Sequence, residues 1–324
     1  MKKRKILIGY NYILHYRKPL FNQLSKKFDV TVLHSGKSIN VENDLFSELI
    51  FPTNKIGPFF VQRGLIDTIE KNKYDYIILL FDPRWVNTLY SILKFRKTHK
   101  LILWGGWFTK NYLINKVRIL FSKGVFSSIY YNHQTRLDFQ GRGIKNTYVA
   151  NNTFDVGSRT KCFNYPKKDY ILFVGSLDLR KQNDILIMSF QKILDEIPKN
   201  INLVFVGSGK ESENLKKLSA KLKLNDRIKF NGRIENPDKL KMYYNRAIVS
   251  VSFGQAGLTV LQSLGYGVPF LTKINSISGG EKFNIKNNYN GILCEDNIDS
   301  LSDNLKKICL NLDFSRKLGE NAFN

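Results

Sequence analysis

Short apolar runs alternate along this chain with longer stretches whose apolar positions recur at helical spacing, and few folds accept that alternation. Each run suits a buried strand and each intervening stretch a helix with one apolar face, which is the pattern of parallel sheets covered by helices. The first series of runs spans residues 5–10, 30–34, 76–80, 101–104, 128–131 and 148–150. A polar segment, 151–169, closes on Pro166, Lys167 and Lys168 and reads as a linker. A second series follows at 170–174, 202–206, 228–230, 248–251 and 269–271, separated by helical stretches such as 184–196 and 212–222. The expectation is an α/β protein of two Rossmann-like, doubly wound domains facing a cleft. Residues 1–160 would form the first, 167–310 the second, and 311–324 a tail. A length of 324 residues suits two cores better than one.

A 26-residue stretch from Ala247 to Thr272 carries no charge. Glycines at 254, 257, 265 and 267, Pro269 and two glutamines punctuate it, so it reads as strand, loop, helix and strand, not as a membrane span. The opening Met1, Lys2, Lys3 and Arg4 leads into Ile6, Leu7 and Ile8, but Tyr10, Asn11 and Tyr12 interrupt the apolar run and no small-residue cleavage site follows. Three cysteines, Cys162, Cys294 and Cys309, lie far apart and odd in number, which suits a reducing compartment. A cytoplasmic protein is expected.

The charge is lopsided. Residues 1–162 hold 27 Lys and Arg against 10 Asp and Glu, the remainder 24 against 17. The first domain is therefore expected to face something anionic: phospholipid headgroups, nucleic acid and a diphosphate-linked substrate all fit, as does a basic bias of the whole sequence. No nucleic-acid-binding motif is present, and nucleic acid is not the expected partner. Residues 110–123 place Lys110, Lys116, Arg118 and Lys123 among Leu113, Val117, Leu120 and Phe121, the pattern of a basic amphipathic helix. Such a helix docks on a membrane or packs on a core with one solvated side.

Candidate chemistry gathers after the second-domain strands. Gly175 opens a turn running to Arg180 and Lys181 just before a helix, so two cations stand beside unpaired backbone N–H groups, as a diphosphate requires. Gly207, with Gly209, ends the next strand and either admits a ligand to the backbone or makes a tight turn. Arg233 follows the third strand. The segment Gly254, Gln255, Ala256, Gly257, Leu258, Thr259 to Gln262 turns directly from strand to helix. Its glycines would bring amides to a phosphate, Thr259 adding a hydroxyl and Gln262 a neutral side chain. In the first domain, Tyr10, Asn11, His15 and Arg17 follow the first strand, His15 being a candidate base or a structural residue. Trp104 and Trp107 would form an aromatic wall for a sugar, or core. No Asp-x-Asp pair occurs, so a carboxylate-held divalent ion is not expected.

These motifs resemble glycosyltransferase family 4. Gly175, Leu177 and Lys181 match its Gly-Arg-Leu, three residues, Lys-Gly pattern, with Ser176 for the Arg and Gln182 for the last Gly. Gly254 to Gln262 and Gly267 to Pro269 align with its Glu-Gly-Phe-Gly-Leu, three residues, Glu, then Gly-x-Pro; Gly254 and Gln262 replace the two glutamates. Gly279, Gly280 and Glu281, then Asn290 and Gly291, are similar to later family elements. The resemblance covers about residues 170–310. It implies the GT-B architecture, a retaining hexosyltransferase and a nucleotide-sugar donor; no metal or other cofactor is expected. Position and resemblance together make Arg180, Lys181 and His15 the catalytic candidates, with Gly175, Gly207, Arg233, residues 254–259, Gln262 and Glu281 expected at the donor. Tyr10, Asn11, Arg17, Trp104 and Trp107 are placed at a glycan acceptor. Charge and resemblance together point to a lipid-linked acceptor in bacterial surface polysaccharide synthesis, at an anionic membrane surface on its inner face. A sugar-nucleotide epimerase on the same fold, a non-catalytic scaffold and a nucleic-acid binder stay open.

Overall fold

The computed structural model describes residues 2–13, 15–38, 42–109, 111–157 and 160–324. The chain divides into two units, Met1–Asn151 and Asn152–Asn324.

In the first unit, strands β1 (Lys5–Gly9), β2 (Asp29–His34), β3 (Ser47–Ile50), β6 (Tyr76–Leu80), β7 (Leu101–Trp104), β8 (Ser127–Tyr130) and β9 (Thr147–Val149) form one sheet. Its order is β3-β2-β1-β6-β7-β8-β9 and every pairing is parallel. β4 (Thr53–Ile56) and β5 (Phe59–Gln62) make a separate antiparallel hairpin. Helices α1 (Lys18–Ser25), α2 (Leu65–Lys71), α3 (Val86–Phe95), α4 (Tyr112–Lys123) and α5 (His133–Gln140) supply the connections. Leu7, Leu33, Ile77, Leu79, Leu101 and Leu103 point to a core shared with α2 and α3; Ile6, Ile8, Val30 and Val32 pack on the other face with Phe21 of α1. Burial on both faces explains why these strands read as unbroken apolar runs.

In the second unit, β10 (Tyr170–Val174), β11 (Asn202–Val206), β12 (Ile228–Phe230), β13 (Ala247–Val251), β14 (Phe270–Lys273) and β15 (Gly291–Cys294) pair in parallel in the order β12-β11-β10-β13-β14-β15. Counted from β10, that is the 3-2-1-4-5-6 order of dinucleotide-binding sheets. Helices α6 (Asn183–Lys192), α7 (Ser212–Lys221), α8 (Pro237–Arg246), α9 (Leu258–Gly265), α10 (Ile298–Leu310) and α11 (Leu312–Phe323) cover it. The uncharged stretch 247–272 is accordingly β13, a loop, α9 and most of β14, as its glycines imply. Residues 311–324, set apart as a tail in the sequence, instead hold α11. It buries Ser315, Leu318 and Gly319 within the second unit, the Ser315 hydroxyl donating to the Ile248 carbonyl.

Five helices, α4, α5, α8, α10 and α11, begin with an asparagine whose side chain accepts a hydrogen bond from the backbone N–H three residues on. α6 and α9, which begin at the site described below, have no side-chain cap. Cys162, Cys294 and Cys309 are buried, and burial pushes their thiols up to about 11, 12 and 12. Among the described residues no helix is long and apolar enough to cross a membrane.

Candidate functional site

In a sheet of this order the chain winds one way from β10 and the other way from β13, so the loops beyond their carboxyl ends part and leave a crevice. Two loops border it. The first runs from Gly175, at φ +145°, through a single 3-10 turn, Leu179–Lys181, into α6. The second runs from Ser252 to Gly257 and into α9. They are tied together: the Gly254 N–H donates to the Lys181 carbonyl at 3.0 Å, and the Lys181 ammonium to the Gln255 carbonyl at 3.3 Å. Ser252 donates to that same carbonyl at 2.7 Å, which fixes the turn into α9.

The 3-10 turn sends its two cations opposite ways. Arg180 is exposed and reaches Asp178 at 3.4 Å, while Lys181 is 8% exposed. Among the described residues Lys181 has no ion-pair partner. Burial, then the neighbouring Arg180, hold its ammonium below the usual lysine pKa; Asp178 and Glu281 pull weakly the other way. Glu281 is buried, but its carboxylate is occupied by Asn152 Nδ2 at 2.8 Å, the Gly279 N–H at 2.9 Å and the Ser278 hydroxyl at 3.1 Å. A buried, uncompensated ammonium beside the uncapped start of α9 is an anion-binding arrangement. At Gly257 an added Cβ would meet open space, so the backbone there is accessible. Leu258 and the half-buried Thr259 follow, the Thr259 hydroxyl buried without a partner, while Ala256 is fully buried against Val260 and Phe270.

Other predicted residues serve the scaffold visibly. A Cβ on Gly207 would lie 1.7 Å from the Gly175 carbonyl oxygen, and one on Gly209 2.3 Å from that of Leu177. The glycines after β11 thus admit the neighbouring loop to their backbone, and loop packing accounts for their lack of side chains. Gln262 is buried, its carbonyl accepting from the Tyr244 hydroxyl at 3.2 Å. Arg233 lies beyond the edge strand β12, exposed and paired with Glu235 at 2.8 Å. Gln182, not singled out in the sequence as a site residue, lies in the left-handed region with its carbonyl oxygen buried and unpartnered. Its substitution for the family's glycine was the available signal.

In the first unit, Arg17 is 7% exposed inside an aromatic enclosure. Its guanidinium lies 4.7 Å from the Trp104 ring and 5.5–5.6 Å from those of Tyr10, Tyr16 and Tyr131, and it donates to the Tyr131 hydroxyl at 3.2 Å. Trp104 is correspondingly buried, 6% exposed, whereas Trp107 is half-exposed with Arg118 5.6 Å from its ring. Burial raises the Tyr10 phenol pKa. Asn11 accepts from the Tyr12 N–H and its carbonyl from Ser35. The side chain of His15, and Lys110 altogether, lie outside the described residues. Among the described residues no three His, Cys, Asp or Glu side chains gather to hold a metal ion.

Residues 158–324, the stretch containing the whole second sheet, match the family described as Glycosyl transferases group 1. The chain belongs to that family. An uncharacterized glycosyltransferase of Haemophilus influenzae is 32% identical over 130 residues, and one of Methanocaldococcus jannaschii 25% over 142. Those matches cover 39% and 40% of this chain and 35% of each relative, so the chain spans about a third of the length of the curated relatives it matches. Solved structures agree over nearly the whole chain. A sucrose-phosphate synthase from Thermosynechococcus elongatus superposes with a TM-score of 0.71 at 15% identity, covering 99% of this chain and 93% of that one. Anabaena Alr3699/HepE in complex with UDP does so at 0.72, with the same identity and coverage. WaaG, a glycosyltransferase involved in lipopolysaccharide biosynthesis, does so at 0.68 and 14%, covering 98% and 94%. Like these structures, the chain has the two Rossmann-like units of the GT-B fold.

Proposed function

We propose that this protein transfers a sugar from a nucleotide-sugar donor to a glycan acceptor, with the donor diphosphate at the crevice between the β10 and β13 loops. The observation that carries the reading is Lys181: a buried side chain whose ammonium has no ion pair among the described residues, at a topological switch point, beside an uncapped helix start. Such a charge is costly to keep unless an anion compensates it. Lys181, Arg180 and the first amides of α9 would stabilise the negative charge that develops on the departing diphosphate, a task a divalent ion performs in other enzymes. Following the family resemblance, the acceptor hydroxyl attacks from the leaving-group face, configuration is retained, and the sugar is a hexose. The first unit, with the half-exposed Trp107, is proposed to hold the acceptor; Arg17 and Trp104 are packed in its interior.

A lipid-linked acceptor, in surface polysaccharide synthesis at an anionic cytoplasmic membrane face, fits the charge of the first unit. From Pro83 to Leu137 the chain has ten Lys or Arg and no Asp or Glu. Within that stretch α4 exposes Leu113 and Leu120, at 70% and 68%, on a helix that also bears Lys116 and Lys123. WaaB, a lipopolysaccharide outer core galactosyltransferase, and WaaG share the fold. Calorimetric titration with UDP, GDP, CMP and NAD tests the donor assignment. One nucleoside diphosphate is expected to bind; silence from all four would end the reading.

A further inference from the structure

The residue after Lys181 sits in a conformation that few side chains accept. Gln182 has φ +53° and ψ +47°, which glycine adopts without steric cost and a branched or long residue takes only under constraint. A glycine is available close by, but on the other loop. At Gly254 an added Cβ would lie 2.3 Å from the Arg180 carbonyl oxygen, 2.9 Å from Gln182 Cγ and 3.0 Å from Gln182 Oε1. The room beside the backbone at 254 is therefore taken by the other loop, by the Arg180 carbonyl oxygen first and the Gln182 side chain next.

What Gln182 gains within the chain does not explain the strain. Its side-chain amide oxygen is buried and, among the described residues, accepts no hydrogen bond, an arrangement that native structures mostly avoid. It adjoins Lys181, which already holds the two loops together through the Gln255 carbonyl. Strained residues persist where the surrounding structure over-determines them, and they cluster at ligand-binding sites. A ligand that brings a hydroxyl to this crevice would supply the missing donor once the amide turns out of its contact with Gly254. The diphosphate's charge is met by Lys181 and the α9 amides, so the group left for a neutral amide is the uncharged, hydroxyl-bearing part of the same molecule.

We propose that Gln182 is a specificity-determining residue for the donor: its amide hydrogen-bonds a hydroxyl of the transferred sugar, from the place that a side chain at position 254 cannot occupy. This rests on the donor assignment above, and the test separates the two. Wild-type protein, Gln182→Gly and Gln182→Glu are titrated with UDP and UDP-glucose, and with GDP and GDP-mannose, and melted in parallel. Gln182→Gly is expected to melt at a higher temperature, since glycine takes the left-handed conformation freely. It should keep the nucleoside diphosphate within about twofold while losing roughly three- to tenfold in affinity for the nucleotide sugar, the size of one neutral hydrogen bond. Gln182→Glu, which keeps an acceptor, should recover most of that loss. Equal weakening of diphosphate and nucleotide sugar would make Gln182 a structural residue and overturn the proposal, as would unchanged affinity for both. If the wild-type protein binds no nucleoside diphosphate, the donor assignment fails and this inference with it. If it binds the diphosphate, and all three proteins bind the sugar form alike, only this inference fails.

Discussion

Replacing Lys181 by Met should make the protein more stable and worse at binding. The two side chains are of similar length, so packing beside Gly175 and Gln255 is largely kept while the charge is removed. Lys181 is 8% exposed, and the hydrogen bond from its ammonium to the Gln255 carbonyl is long at 3.3 Å. Removing a buried charge so poorly compensated should stabilise by about 1–2 kcal/mol, or a rise in Tm of roughly 2–8 °C for a unit of this size. The gain depends on pH. Because the folded-state pKa lies below the ordinary lysine value of 10.5, the unfolded chain holds the proton more tightly. Wild-type stability therefore rises with pH between the lowered value and 10.5, and the gap to the variant closes over that interval. Against a diphosphate the lost contact is a charge-assisted hydrogen bond of about 1.5–3 kcal/mol, which is roughly 10- to 150-fold in Kd. Calorimetry at neutral pH, with melts from pH 7 to 10.5, reads both effects. Wild-type affinity in the variant would refute the assignment of Lys181 to the diphosphate. A lowered Tm would refute the claim that its charge is uncompensated.

Gly207→Ala should destabilise the second unit by about 3 kcal/mol or more, since its Cβ would fall 1.7 Å from the Gly175 carbonyl oxygen at a positive φ; a denaturant midpoint within error of wild type would contradict the packing role. The protein should sediment with anionic vesicles at low salt. A variant carrying Leu113→Glu and Leu120→Glu should lose most of that binding, each apolar side chain on α4 being replaced by a charge that the surface repels. No sedimentation of the wild type at low salt would remove the membrane reading.

The two sheets were legible because their strands are buried on both faces. Tyr170–Val174 and Ala247–Val251 have no polar interruption beyond Ser250, and no helix face has that composition. Strands β3, β4 and β5 escaped notice for the opposite reason. Ser47–Ile50 and Thr53–Ile56 are largely solvated edge and hairpin segments, and their pairing is set by position and not by apolar content. β15 is only four residues, Gly291–Cys294, and opens on a glycine, so its apolar run is too short to read as a strand from sequence. At the site, residue types after β10 and β13 identified the loops, but sequence alone cannot divide adjacent side chains between solvent and interior. Arg180 and Lys181 looked equivalent, and the 3-10 turn makes one exposed and the other buried. Gly207 was readable as a ligand contact or a turn. The distance to Gly175 that decides what its missing side chain accommodates is a property of two loops together.

The three thiols all lie in the second unit, buried and held in their protonated form well above neutral pH. Residues 1–151 contain no cysteine. An alkylating reagent at neutral pH should therefore meet a silent surface and modify the protein only during excursions that open the second unit, giving a labelling clock for that unit alone. Slower labelling in the presence of a nucleotide would report the coupling of its binding to that opening without any added probe. A single cysteine introduced on the first unit would, for the same reason, react almost alone.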